Sequence, residues 1–144
     1  MVSQEILQEF GFKLSQGGAH ASRTMMLAEL ELLFNALPEN AAQEEYKQAI
    51  ELHNVLNKST NKTRSLTFRH LVDLYSLDPS YPLFRAFRRL WAADEEARPV
   101  LTCQMASARD PLLRLSQNQI LSLAINEVLP RVDMEQVFEQ AYPE

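Results

Sequence analysis

Cysteine, glycine and long apolar runs are all scarce in this chain. One of its 144 residues is cysteine, Cys103, and three are glycine. A lone cysteine excludes an internal disulfide and a zinc site built on a cysteine cluster, and it is typical of a reducing compartment. No apolar run approaches the ~20 residues that a membrane-spanning helix needs, and the N-terminus does not have the pattern of a secretory signal. We therefore expect a cytoplasmic protein without a membrane partner.

Residue types that carry catalysis or bind metals are few and scattered. His20, His53 and His70 are far apart in the sequence and do not have the spacing of metal ligands. Cys103 has no histidine near it in the sequence, and no Ser-His-Asp set can be assembled from a motif. We therefore predict no enzymatic activity, no cofactor, no metal site and no small-molecule substrate.

The apolar residues recur at helical spacing. Met26, Leu30, Leu33, Phe34 and Leu37 repeat every three or four residues, and no segment alternates as a half-buried strand does. The prolines fall between such segments. The pattern predicts an all-α fold, one compact multi-helix domain over residues 1–144. The predicted helices lie near 3–9, 22–37, 42–56, 61–77, 82–93, from 99 onward, and near 116–129 and 133–141.

The formal charge of −5 conceals a basic middle. Residues 52–93 carry seven basic and two acidic side chains, or +5, which leaves −10 for the remainder. Within them, LNKSTNKTRSLTFRHL (residues 56–71) contains four cations and no acid. The acid-free run of 52–72 is only slightly longer than that of 10–28, so charge alone is a weak signal.

Helical geometry gives this stretch a clearer meaning. In the helix predicted from residue 61, Lys62 and Arg69 lie opposite an apolar face. That face comprises Phe68, Leu71, Val72 and Tyr75. Two helices joined by a four-residue polar turn at 57–60 have the form of a helix-turn-helix, here about 42–77. The residues predicted to contact DNA are Lys58, Ser59, Thr60, Asn61, Lys62, Thr63, Arg64 and Arg69. A helical hairpin with a solvated basic face is the simpler alternative.

Arginines elsewhere in the chain have weaker patterns. Arg85, Arg88 and Arg89 are expected opposite the apolar face of the helix near 82–93, where they are candidates for a secondary DNA contact. Solvation, or pairing with the acids at 95–96, is the alternative.

Four further predictions concern structural roles and burial. In ARDPLLR, Asp110 is predicted to cap a helix, while Arg109 or Arg114 pairs with an acid. His53 is expected at the core or its edge, and His70 on the exposed side of its helix.

Four stretches resemble the BrxA family, small helical proteins of the bacterial BREX phage-defence system. They are HASRTMMLAELELLF, NVLNKSTNKTRSLTFRHLVDLYSLD, PLFRAFRRLWAADEEARPVL and ARDPLLR, and they cover most of residues 20–115. The resemblance implies an all-helical protein that binds duplex DNA, with other BREX proteins as further candidate partners. It implies that the DNA-contacting residues include Lys58, Thr60, Lys62, Thr63, Arg64 and Arg69.

Two alternatives accompany this resemblance. Similar chains usually continue past the position of YPE (142–144) into another basic helical segment, so this chain is either a short member or lacks a C-terminal domain. In the second case the apolar side of the last helix should be incompletely covered. The alternative function is a non-enzymatic adaptor that docks onto larger defence components. An adaptor should expose an apolar patch, expected around Phe84, Phe87 and Trp91.

Overall fold

The computed structural model describes residues 1–15 and 25–143. In these residues 66% of positions are helical, and no strand occurs among them. The helices are α1 (Gln4–Phe10), α2 (Leu27–Ala36), α3 (Gln43–Glu51), α4 (Asn61–Tyr75), α5 (Pro82–Ala93), α6 (Arg98–Arg109), α7 (Pro111–Ser122) and α8 (Arg131–Ala141). The all-α prediction is confirmed. The helix start predicted at Ser22 lies outside the described residues.

Local signals place several helix ends where the sequence predicts them. The Ser3 hydroxyl accepts from the backbone N–H of Ile6 at 3.3 Å and starts α1. Thr60 caps α4 in the same way, and Pro82 begins α5 at a position where no backbone N–H is needed. The helix predicted over 82–93 has those bounds in the structure.

Other helix ends differ from the prediction, and backbone conformation explains why. Helix α3 ends at Glu51 instead of residue 56, because Asn54 and Asn57 adopt left-handed φ values of 51° and 52°. Asparagine tolerates this conformation better than most residues, so the pair ends the helix early. Similarly, α4 stops at Tyr75 because the next two residues also have positive φ. The predicted helix at 116–129 instead runs from Pro111 to Ser122, since Asp110 caps it directly.

The core is an aromatic cluster centred on Phe34 of α2. Its ring makes edge-to-face contacts with Trp91 at 5.1 Å and Phe87 at 5.8 Å between centroids. It also meets Tyr46 and Phe84 at 6.2 and 6.3 Å. Such pairs stabilise the fold beyond the area that they bury. Helices α2, α3 and α5 therefore meet at one point, and α4 and α6 complete the bundle.

Burial corrects several face assignments made from the sequence. Phe84, Phe87 and Trp91 are buried, so the exposed patch expected of an adaptor is absent at this place. Leu90 of the same helix is half exposed. His70 is buried on the inner side of α4, where an exposed position was predicted. His53 follows the early end of α3 and is exposed.

The ARDPLLR segment joins the N-terminus to the bundle. Arg109 donates to the carbonyls of Gly11, Val72 and Asp73. Arg114 donates to the carbonyls of Lys13, Ser107 and Ala108. Both guanidinium groups thus donate to backbone oxygens, and no ion pair between either arginine and an acid occurs among the described residues. Asp73 and Asp78 attract Arg109 from a longer distance. The structural role of the two arginines is nevertheless the one that the sequence suggested.

Gly11 is required at the end of α1. Its φ of 109° lies in the left-handed region, and a Cβ at this position would lie 3.0 Å from Cβ of Tyr81. A side chain would therefore meet both backbone strain and a steric clash. The tight turn holds the Gly11 carbonyl 2.7 Å from Nη1 of Arg109.

The cap of α7 provides a direct test of the local structure. Asp110 is buried, and its Oδ1 accepts from the N–H groups of Leu112 and Leu113 at 3.0 and 3.2 Å. We expect Asp110→Ala to lower the free energy of unfolding by about 1–2 kcal/mol, measured by urea denaturation. Asp110→Asn keeps a capping oxygen and should recover most of this loss. Equal losses in the two variants would show that the cap is not the cause.

No helix among the described residues combines the length and the apolar character needed to cross a membrane.

Candidate nucleic-acid interface

The N-terminus of α4 is presented by the connection over residues 52–60. This connection is longer than the four-residue turn expected from the sequence, because α3 ends early. Leu56 anchors it in the core, and Oδ1 of Asn54 accepts from the N–H of Lys58 at 2.8 Å. Helices α3 and α4 pack against each other across this connection. They form a helix pair with a longer turn than the 3–4 residues usual in a helix-turn-helix.

Two of the four predicted cations are engaged within the protein. Lys58 Nζ lies 3.0 Å from Oε1 of Glu29, in the first turn of α2, and both side chains are largely shielded from solvent. Arg64 reaches back along the connection and donates from Nε to the carbonyl of Lys58 at 3.3 Å. Its Nη1 donates to the carbonyl of Glu51 at 3.3 Å, at the end of α3. A cation at this helix terminus is also favoured by the helix dipole.

The remaining polar residues of this stretch form one exposed surface, which we call the α4 surface. It consists of Ser59, Thr60, Asn61, Lys62, Thr63, Ser65 and Arg69. Lys62 and Arg69 are exposed on the outer side of α4, as the sequence predicts. Ser65 lies between them and was not among the predicted contacts.

The start of α4 is suited to an anion. The Thr60 hydroxyl accepts from the N–H of Thr63 at 3.1 Å and lies 2.8 Å from the Thr63 hydroxyl. No acidic residue occupies the first turn of the helix, so no carboxylate in that turn offsets its positive dipole end. Backbone N–H groups, two hydroxyls, Asn61 and Lys62 can all donate to phosphate oxygens from this surface.

The second candidate cluster consists of three arginines on α5, one of which is buried and two of which are exposed. Arg88 is buried against the ring of Phe34 and faces the core. The prediction that it lies opposite the apolar face is wrong, because the long side chain extends over the aromatic cluster. Arg85 and Arg89 are exposed. Arg85 donates from Nη1 to the carbonyls of Pro79 and Ser80 at 2.7 and 3.0 Å, which fixes the turn before α5.

The structure was also searched for a metal site, and the chain was compared with known proteins. Among residues 1–15 and 25–143, no group of three or more His, Cys, Asp or Glu side chains could hold a metal ion. Comparison with protein-family models, with curated proteins and with solved structures gives no match.

Proposed function

We propose that this chain is a cytoplasmic DNA-binding accessory protein of a BREX-type bacteriophage-defence system, without enzymatic activity. The observation that carries DNA binding is the α4 surface, where two exposed cations and several donors surround a positive helix end that has no acidic residue in its first turn. The assignment to a defence system rests on the resemblance of the four stretches quoted above.

In this proposal the duplex is held mainly through its backbone. Lys62 and Arg69 neutralise two phosphates, while Thr63, Ser65 and the first N–H groups of α4 donate to phosphate oxygens. Lys58 and Arg64 act indirectly, because they hold the connection over 52–60 in place. Contacts of this kind set position and affinity but carry little sequence information, so we expect similar binding to unrelated duplexes.

An adaptor remains the second candidate, and a specific observation favours it. Apolar side chains at the end of α7, in the following loop and at the start of α8 are about half exposed or more. They are Ile120, Leu121, Ile125, Val128 and Val132. On α8, Met134, Val137 and Phe138 are only half buried and Ala141 is exposed. A larger defence component could dock here through apolar contacts.

Duplex titration at several salt concentrations separates the two candidates. With two phosphates neutralised, the logarithm of the association constant should fall against the logarithm of salt with a slope of about −1.8, from about −0.9 per contact. Fluorescence anisotropy of a labelled duplex measures this slope. An affinity that cannot be detected at low salt, or one that does not depend on salt, would favour the adaptor.

A further inference from the structure

A small polar cavity lies beside the aromatic core, at the C-terminal end of α2. Its volume is about 260 Å³, and Phe34, Asn35, Glu39, Arg88, Trp91 and Arg98 are among its lining residues. Two of these are arginines from different helices, α5 and α6. The cavity therefore brings two guanidinium groups to one small space that is open to solvent.

Arg88 is a buried cation without a carboxylate partner. It is 5% exposed, and among the described residues no Asp or Glu lies within ion-pair distance of it. Its Nη2 donates to the carbonyl of Leu37 at 3.0 Å, and its Cζ lies 4.1 Å from the centre of the Phe34 ring. Its Nε has no hydrogen-bond partner. Dipoles and a π face thus offset part of its charge, and the Glu39 carboxylate attracts it from beyond ion-pair distance.

The neighbours of Arg88 confirm its unusual environment. Burial lowers the pKa of Arg88, and burial raises the pKa of the adjacent Tyr46 hydroxyl to about 12. A buried charge left without a counter-ion is costly, since desolvation is not repaid by an ion pair.

Arg98 adds a second cation to the lining of the cavity. Its Cζ lies 5.0 Å from the centre of the Trp91 ring, and its Nε donates to the Trp91 carbonyl at 3.2 Å. It approaches Glu95 at 3.7 Å, but that carboxylate is 83% exposed and therefore interacts weakly. Arg98 can turn its remaining N–H groups toward an anion in the cavity.

We propose that this cavity is a binding site for the phosphate or carboxylate group of a small molecule, with Arg88 and Arg98 as its ligands. Guanidinium groups bind such oxyanions in a fork geometry, and a bound anion would supply Arg88 with the ion-pair partner that it does not have among the described residues. The Asn35 side chain lines the same space and can donate a further hydrogen bond. The inference is independent of DNA binding.

The carboxylates around the cavity indicate a small ligand. Glu39 lines the cavity and Glu95 lies beside Arg98. Both would repel the neighbouring phosphates of a polyanion, whereas a single oxyanionic group can approach the arginines between them. The volume of about 260 Å³ also fits such a group with few attached atoms.

Trp91 provides an intrinsic signal for the test, because it is the only tryptophan of the chain and lines the cavity. Inorganic phosphate and succinate are titrated separately into the full chain, with chloride added to keep the ionic strength constant. We expect a saturable change in Trp91 emission with at least one of them, and the better ligand indicates which oxyanion is preferred. No saturable change with either would overturn the proposal. So would a change caused by duplex DNA that phosphate competes away, because the ligand would then be a polyanion.

Three variants with different expected signs make the assignment specific. Arg98→Gln should raise the half-saturating concentration about tenfold or more, as expected for the loss of one charge-assisted hydrogen bond. Glu39→Gln should lower it severalfold, because an exposed repulsive charge is removed without disturbing the core. Arg89→Gln removes the same charge as Arg98→Gln from an exposed position of α5 outside the cavity and should leave it unchanged. Equal shifts in Arg98→Gln and Arg89→Gln, or weaker binding in Glu39→Gln, would contradict a site at this cavity.

Discussion

Replacing Lys62 and Arg69 together by alanine should weaken duplex binding roughly 100-fold, from about 1.5 kcal/mol for each charge-assisted hydrogen bond. Both side chains are exposed on the α4 surface, so their removal leaves the core intact. The slope of log affinity against log salt should rise from about −1.8 toward zero, since about −0.9 is lost with each phosphate contact. Anisotropy titrations at several salt concentrations, with circular dichroism to check the helices, measure both effects.

The matched control is the pair Lys58→Met and Arg64→Ala, which removes the same charge from the same stretch. These side chains hold the connection over 52–60 through Glu29 and the backbone carbonyls of Glu51 and Lys58. The control should therefore lower the free energy of unfolding and leave the salt slope of the folded protein nearly unchanged. Unchanged affinity and slope in the Lys62 and Arg69 variant would leave the α4 surface as a solvated face and favour the adaptor.

Removal of the Arg109 guanidinium should cause the largest loss of stability. Its two short hydrogen bonds, 2.7 Å to the Gly11 carbonyl and 3.1 Å to that of Asp73, connect the end of α1 to α4 through α6. Hydrogen bonds to a charged group contribute about 1.5 kcal/mol or more each, so Arg109→Ala should cost about 3 kcal/mol. The melting temperature should fall by about 10 °C in a thermal scan.

Two further variants distinguish this geometry from charge alone. Arg109→Lys keeps the charge but loses the planar fork, so most of the stability loss should remain while the salt slope of DNA binding does not change. Arg131→Ala removes an arginine whose side chain is 91% exposed and should shift stability by less than about 0.5 kcal/mol. Full stability in Arg109→Lys would mean that a cation at this position is sufficient.

Local rules account for the parts of the fold that the sequence predicts correctly. The bounds of α5 and the cap at Asp110 each depend on a few neighbouring residues. The early end of α3 could not be predicted as easily, because left-handed conformations at Asn54 and Asn57 are one option among several for asparagine. The sequence prediction therefore extended the helical period to residue 56, and this extension placed His53 on the apolar face of the predicted helix.

Of the four cations in the candidate site, the sequence predicted the exposed positions of two correctly. Lys62 and Arg69 are separated from the apolar face by helical geometry alone, so a pattern suffices to place them. The partners of Lys58 and Arg64 lie on α2 and α3, and those contacts depend on tertiary packing. The predicted exposure of Arg88 was wrong for a related reason. A helical projection places a charged residue outward, but a long arginine side chain can extend over aromatic rings of the core. The cavity with Arg98 had no signal in the sequence for the same reason.

The position of helix α8 determines which part of the fold can separate first. It contains no buried residue and packs chiefly on α7, while the aromatic cluster around Phe34 involves neither helix. Detaching α8 therefore exposes little additional apolar area and breaks no contact of the core. Helix α8 can thus separate from α7 locally, without the cooperative loss of structure that separation of α2, α4 or α5 would cause.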